Sequence, residues 1–297
     1  MTLIALASVK GSPGVTTAAA ALAASWPKGR RVLLVEADPF GGDLAPRYGV
    51  APSGGLSSLF AAARRTLQPG DVWDHVDHLP GGLPVLFGLG GMHQAVANEK
   101  AWPIVADALS ALDADVVIDV GRLLPNLGGG VREVLVRADV LVVLCPSTLE
   151  ALVHLREALP SLTAELRGRS LLVVPTGEPQ FSAADIGRTL GVEVLLPMPD
   201  DPGAAAALAN RRSAKRLERT RLLRWAADAL GALGIDATRP VESEESSMSA
   251  EQAAEADPSA TTTTDPVETH QPDESPDGTR SEGQLAEAAS STTREAV

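Results

Sequence analysis

Short apolar runs recur along the chain, and a stretch in which apolar residues have helical spacing follows most of them. The runs are nearly continuous in Val, Leu and Ile, which is typical of strands covered on both faces of a sheet. This alternation favours an α/β fold, with a mostly parallel sheet of seven or eight strands and helices on both faces. The predicted strands are Leu3–Val9, Arg31–Glu36, Leu83–Phe87, Asp115–Asp119, Val140–Cys145, Ser170–Pro175 and Val192–Leu196.

The segments between and after these strands carry the predicted helices. In the last of them, Leu222, Leu223, Ala226, Leu230 and Leu233 share one face, which is the spacing of a helix that docks on a core. Ligands of parallel α/β sheets bind beyond the carboxyl ends of the strands, so residues directly after each strand are the candidates for function. The predicted helices are 16–26, 55–66, 98–112, 130–138, 148–166, 182–190, 202–211 and 216–234.

The composition changes at residue 240 and divides the chain of 297 residues into two parts. Residues 240–297 are rich in Ser, Thr, Glu, Asp, Pro and Ala and contain no aromatic residue. Such a segment cannot bury enough apolar surface to offset the entropy of ordering it, so we predict a disordered acidic tail. Residues 1–239 are long enough to form one domain with a sizeable core.

The charge of −13 belongs almost entirely to this tail. Residues 240–297 hold 14 acidic and 2 basic residues, which leaves 24 acidic and 23 basic residues in 1–239. Net charge therefore neither favours nor excludes nucleic acid as a ligand of the domain. One cysteine excludes a disulfide framework and a cysteine-ligated metal cluster within the chain. No apolar run reaches the roughly 18 residues of a membrane span, and we expect a cytoplasmic protein without stable membrane insertion.

A glycine-containing loop follows the first predicted strand and precedes the first predicted helix. Such a loop turns backbone N–H groups toward one point beside the positive end of the helix dipole, which suits a phosphate group. A hydroxyl in the first helical turn, here Thr16, is placed to bind Mg²⁺ that accompanies phosphates. The general phosphate-loop pattern G-x-x-x-x-G-K-[ST] is not met, because Val9 and Val15 replace its first Gly and its Lys. The loop reads Lys10, Gly11, Ser12, Pro13, Gly14, Val15, Thr16 and Thr17.

The loop resembles more closely the deviant phosphate loop of the ParA/MinD family of dimeric ATPases, which has an additional lysine near its start. Lys10 stands at that position, Gly11 and Gly14 match, and Thr16 and Thr17 match. Ser12 replaces a glycine and Val15 replaces the second lysine.

Three further segments, each at the end of a predicted strand, resemble the same family in the same order. Glu36-Ala37-Asp38-Pro39 resembles its D-x-D-P segment, Val116–Gly121 its Walker B strand ending at Asp119, and Leu196–Pro202 its P-x-D-P segment near the base. The resemblance covers about residues 1–235 and implies binding of ATP or ADP with Mg²⁺. It implies that Lys10 and Asp38 are catalytic and that Thr16, Asp38 and Asp119 hold the metal. It assigns the nucleotide to Gly11, Ser12, Pro13, Gly14, Val15, Thr16, Thr17, Pro199 and Asp200.

These assignments have structural alternatives that the residues alone leave open. Asp38 precedes Pro39 and suits a turn, and Asp119 suits a cap at a strand end. Val15 removes a cation from the phosphates, and charge stabilisation is most of what a phosphoryl-transfer enzyme supplies. Either the site binds nucleotide with slow turnover, or it retains only the fold.

A dense basic stretch lies near the end of the domain. Residues 211–224 hold seven cations and one acid, Glu218. Basic surface in this region binds non-specific DNA in partitioning ATPases of the family, and neutralisation of phosphates would drive such binding here. A solvated helix face is the structural alternative. The cations are Arg211, Arg212, Lys215, Arg216, Arg219, Arg221 and Arg224.

The sequence thus predicts an atypical ParA/MinD-like protein that binds adenine nucleotide, forms a homodimer and positions a cellular assembly. Its protein partners would belong to a partitioning system or to pilus or secretion machinery, and Val15 favours similarity to the TadZ/CpaE group. Two alternatives stay open: an active DNA-segregation ATPase, and a nucleotide-free scaffold.

Overall fold

A computed structural model describes residues 1–123, 129–209 and 217–236 of the chain, and all of them belong to one compact unit. The predicted tail 240–297 lies outside the described residues. Eight strands form one sheet in the order β3-β4-β2-β5-β1-β6-β7-β8, parallel except for the β3–β4 pair. The strands are β1 Leu3–Ser8, β2 Val32–Glu36, β3 Asp77–His78, β4 Pro84–Leu86, β5 Asp115–Arg122, β6 Val140–Pro146, β7 Ser170–Thr176 and β8 Glu193–Val194.

Ten α-helices cover the sheet within the described residues, so the predicted fold class is confirmed. Two short helices, α2 and α4, and the antiparallel strand β3 were not predicted. None of the described helices is long and apolar enough to cross a membrane. The helices are α1 Val15–Ala24, α2 Leu44–Tyr48, α3 Leu56–Ala63, α4 Met92–Ala97, α5 Trp102–Ser110, α6 Gly129–Leu135, α7 Leu149–Leu166, α8 Ala183–Leu190, α9 Pro202–Leu208 and α10 Arg221–Ala232.

The sheet separates two apolar clusters, because successive side chains of a strand point to opposite faces. In β1, Leu3 and Ala5 contribute to the cluster under α3, α5, α6 and α7, whereas Ile4 and Leu6 contribute to the cluster under α1, α9 and α10. All six residues of β1 are buried, as its continuous apolar sequence predicts. The central strand is therefore fixed from both sides, which holds the loop that follows it.

A buried polar network fixes the amino end of β5. Asp115 is 3% exposed and accepts hydrogen bonds from the Trp26 indole N–H at 2.9 Å and from the Arg30 guanidinium at 2.8 and 2.7 Å. It also accepts a hydrogen bond from the backbone N–H of Thr2 at 2.7 Å. These contacts join β1, β5 and the segment after α1 at the edge of the sheet opposite to the carboxyl ends.

Candidate functional site

The loop between β1 and α1 leaves the start of α1 open to a ligand. Gly11 and Gly14 have φ values of 75° and 97°, in the left-handed region that favours glycine. Helix α1 starts after Gly14 with no side-chain cap and no acidic residue in its first turn. Helices α2 to α5 also lack a side-chain cap, whereas side-chain oxygens cap α7, α8, α9 and α10. The first amides of an uncapped helix are donors that suit an anion.

A cleft of about 430 Å³ opens beside this loop at the carboxyl ends of β1, β2 and β5; we refer to it as the loop cleft. The structure brings six of the predicted nucleotide-binding residues to its wall, together with Asp38. The lining residues are Ser8, Gly11, Ser12, Gly14, Val15, Thr16, Thr17, Asp38, Phe40, Asp43, Arg47, Gly121 and Arg122.

Asp119 does not line this cleft, but it lies beside two residues that do, Thr16 and Gly121. Its carboxylate accepts a hydrogen bond from the Gly121 N–H at 2.9 Å, and the Thr16 side chain lies close enough to lower its pKa. The residue is 2% exposed, and burial raises the pKa of the carboxyl to about 7, against the opposing effect of these two groups. The nearby charges of Glu36 and Asp38 raise it further. Asp119 is therefore close to its midpoint of titration at neutral pH.

Asp38 approaches the same place from the end of β2. A Cβ atom at Gly121 would lie 2.0 Å from the Asp38 carboxylate, so only glycine allows this approach. Burial raises the pKa of Asp38, whereas the hydrogen bond from the Phe40 N–H at 2.8 Å and the charge of Arg122 oppose that rise. Thr16, Asp38 and Asp119, the three residues predicted to hold a metal, thus lie in one neighbourhood.

Glu36 is a structural residue of the site. It is 2% exposed, and its carboxylate accepts hydrogen bonds from the N–H groups of Asp43, Leu44 and Gly88 at 2.8, 2.9 and 3.2 Å. Burial raises the pKa of this carboxyl, and the three amides oppose that rise. Glu36 therefore holds the loop after β2, which carries Asp38, against the segment after β4.

Two arginines that sequence reasoning missed line the loop cleft. Arg47, on α2, forms an ion pair with Asp43 four residues earlier. Arg122, the last residue of β5, places its guanidinium carbon 5.5 Å from the centre of the Phe40 ring. Arg122 lies at the carboxyl end of its strand, where ligands of parallel α/β sheets bind, so its position was a signal that could have found it.

Lys10 lies on another side of the loop and is absent from the cleft lining. Its ammonium group is 2.7 Å from Nε2 of His154, an exposed residue of α7. The side chain therefore lies along the outer surface of the same chain and not in the loop cleft.

The segment after β8 reaches the loop through a residue that was not predicted. The Met198 methyl group would be 3.3 Å from a Cβ atom at Gly14. Pro199 and Asp200, like Pro13, do not line the cleft, and the Asp200 carbonyl accepts a hydrogen bond from Arg221 at 2.6 Å. The predicted base-binding segment is therefore adjacent to the loop, with Met198 in contact with it.

Only part of the basic stretch can be placed. Arg219, Arg221 and Arg224 are exposed. Arg211, Arg212, Lys215 and Arg216 lie outside the described residues.

No protein-family model matches the sequence, and no curated protein matches it. Solved structures do match it. A ParA family ATPase from Chlorobium tepidum is 19% identical, with a TM-score of 0.61, and the match covers 76% of this chain and 97% of that one. MinD of Pyrococcus horikoshii, the septum site-determining protein complexed with Mg-ADP, is 16% identical, with a TM-score of 0.61. This match covers 78% of this chain and 97% of the MinD chain. Cyanothece McdA in complex with ATP is 19% identical, with a TM-score of 0.58. This match covers 79% of this chain and 97% of the McdA chain. The chain therefore has the fold of the ParA and MinD ATPases.

Proposed function

We propose that this protein binds an adenine nucleotide with Mg²⁺ in the loop cleft and positions a cellular assembly from the cytoplasm. The observation that carries the proposal is the loop cleft, which Thr16 and Asp38 line at an uncapped helix start, with the Asp119 carboxyl close to Thr16. MinD of P. horikoshii was solved with Mg-ADP and McdA with ATP, on the same fold. Placement of large assemblies fits the septum-site role named for that MinD.

The residues present fit such a ligand. Amides at the start of α1 suit the phosphates, and the Thr16 hydroxyl with the carboxylates of Asp38 and Asp119 suits Mg²⁺. Within the described part of the chain, no three His, Cys, Asp or Glu side chains form a group that could hold a metal ion. Mg²⁺ usually takes one or two carboxylates and completes its shell with phosphate oxygens and water. Bound Mg²⁺ would neutralise phosphate charge, so metal and nucleotide should bind together.

The proposal includes slow hydrolysis. The Val15 side chain is 6% exposed and belongs to the apolar cluster under α1, so it offers the phosphates no charge. Removing one group that stabilises transition-state charge typically costs two to three orders of magnitude in rate. We therefore propose that nucleotide occupancy, more than turnover, controls this protein.

The proposal also includes a homodimer formed through the face that carries Lys10. Lys10 is exposed, its ammonium group contacts the exposed imidazole of His154, and its charge interacts with that of the exposed Glu150. A partner subunit can displace such a contact at small cost, because exposed polar pairs contribute little to stability. We also propose that the protein is similar to the TadZ/CpaE group. Its protein partners would belong to a partitioning system or to pilus or secretion machinery.

Calorimetric titration with Mg-ATP and Mg-ADP tests the proposal. Thr16→Ala should weaken binding of both nucleotides about ten-fold or more when Mg²⁺ is present, because the hydroxyl that faces the metal is lost. Thr189→Ala, at an exposed threonine of α8, is the matched control and should bind as the wild type does. Absence of wild-type binding at millimolar Mg-ATP would refute the proposal and leave the nucleotide-free scaffold.

Binding to random duplex DNA tests the other alternative. Salt-sensitive binding that is lost in Arg216→Glu and Arg219→Glu would favour an active DNA-segregation ATPase.

A further inference from the structure

The loop cleft lacks the loop cation of its motif but contains two cations from elsewhere. Position 15 contributes a buried isopropyl group, whereas Arg47 and Arg122 line the cleft. Arg47 is paired with Asp43. Within residues 1–123, 129–209 and 217–236, no acidic side chain forms an ion pair with Arg122. The charge of Arg122 is therefore available to a ligand.

The path of β5 explains how Arg122 reaches the cleft. The register between β1 and β5 shifts by one residue after Leu6, so that Leu6 pairs with Asp119 and Ala7 with Gly121. Gly121 has a φ of 69°, which suits this irregularity. A bulge changes the direction of the side chains that follow it, and bulges are common beside active sites. Arg122 then pairs with Ser8, immediately before the loop.

An aromatic ring and a carboxylate lie close to the exposed guanidinium group of Arg122. The exposed Phe40 ring lies beneath it, and the charge of Asp38 is close enough to affect both groups. Stacking on an aromatic ring leaves the N–H groups at the edge of the guanidinium plane free to donate. Such an edge binds phosphate oxygens in a bidentate manner.

We infer that Arg122 is the phosphate-binding cation of this cleft and supplies the positive charge that Val15 lacks. This inference rests on the proposed function and specifies how its ligand is held. The ligand class is a nucleoside di- or triphosphate, with the guanidinium directed to the phosphate chain.

The test compares Arg122→Ala, Arg122→Lys and Arg31→Ala. Arg31 is the matched control, because it is also an exposed arginine over an aromatic ring, 4.3 Å from the centre of Trp73. It precedes β2 and so lies at the opposite edge of the sheet. The full-length variants are titrated with Mg-ATP and with inorganic tripolyphosphate, and their melting temperatures are measured without ligand.

Arg122→Ala should weaken binding of both probes about 10- to 100-fold, the loss expected for one charge-assisted contact. Arg122→Lys should bind with intermediate affinity, because lysine keeps the charge but not the fork of donors. Arg31→Ala should bind as the wild type, and all melting temperatures should agree within a few degrees.

Two results would overturn the inference, and they differ. If the wild type binds Mg-ATP but Arg122→Ala binds it as tightly as Arg31→Ala does, the inference is wrong and the proposed function stands. If the wild type binds neither probe at millimolar concentration, both are wrong.

Discussion

Replacement of Asp119 by asparagine should change how the stability of the protein depends on pH. The wild-type carboxyl has an ordinary pKa of 3.8 in the unfolded chain and a pKa of about 7 in the folded protein. Between these values the folded protein binds a proton that the unfolded chain has released. The free energy of unfolding that this proton contributes is therefore fully present at low pH and is lost as the pH rises through 7.

The magnitude follows from the two pKa values. Across pH 5.5 to 8.5, linkage through this one group amounts to about 2 kcal/mol of unfolding free energy. The asparagine side chain of the variant keeps an oxygen that can accept the Gly121 N–H but does not titrate. Glu36 and Asp38 also have raised pKa values and remain in both proteins, so most of their own pH dependence cancels in the difference between the two proteins.

Urea denaturation at several pH values measures this difference. The free energy of unfolding of the wild type minus that of Asp119→Asn should fall by about 2 kcal/mol from pH 5.5 to 8.5. Most of this change should occur below pH 7.5. Parallel stability curves for the two proteins would show that the buried carboxyl does not hold a proton near neutral pH. The reasoning about the buried carboxyl beside the cleft would then be refuted.

Two further substitutions test the cation deficit and the opposite edge of the sheet. Val15→Lys should raise ATP hydrolysis at least about ten-fold in a phosphate-release assay, because it restores a charge beside the phosphates; no gain would show that the site lacks more than this lysine. Asp115→Ala should lower the free energy of unfolding in urea by about 3–5 kcal/mol, because it leaves the Arg30 charge, whose side chain is 10% exposed, without its partner. The more exposed pair of Arg47 and Asp43 offers a control, since Asp43→Ala should lower the free energy of unfolding by less than about 1 kcal/mol. Equal losses of unfolding free energy in Asp115→Ala and Asp43→Ala would contradict this account.

The parallel core could be predicted because its strands are continuous apolar runs. Each of the seven predicted strands overlaps an observed one, and the stripe on α10 is buried as its spacing indicates for Leu222, Leu223, Ala226 and Leu230. Strand β3 escaped prediction because it consists of two polar residues, Asp77 and His78, whose pairing depends on β4. Helix α2 escaped it because it has five residues and contains Pro46.

The features of the candidate site that depend on local backbone shape could be predicted from the sequence. Those that depend on contacts between distant residues could not. The glycines of the loop mark positions of positive φ, and the resemblance of two strand-end segments to the ParA/MinD family led to Asp38 and Asp119. Glu36 joins the loop after β2 to the segment after β4 by accepting a hydrogen bond from the Gly88 N–H. Gly88 is 52 residues away, and local sequence does not reveal such a partner. Arg122 depends on a shift of register that no apolar pattern indicates.

Hydrogen–deuterium exchange of the loop amides tests the central claim most directly. If backbone N–H groups of residues 11–17 bind phosphates, millimolar Mg-ATP should slow exchange in peptides that span this segment, and adenosine alone should not. Peptides at the opposite edge of the sheet, such as those around Arg31, should exchange equally with and without nucleotide. Unchanged exchange at residues 11–17 in the presence of Mg-ATP would contradict the account.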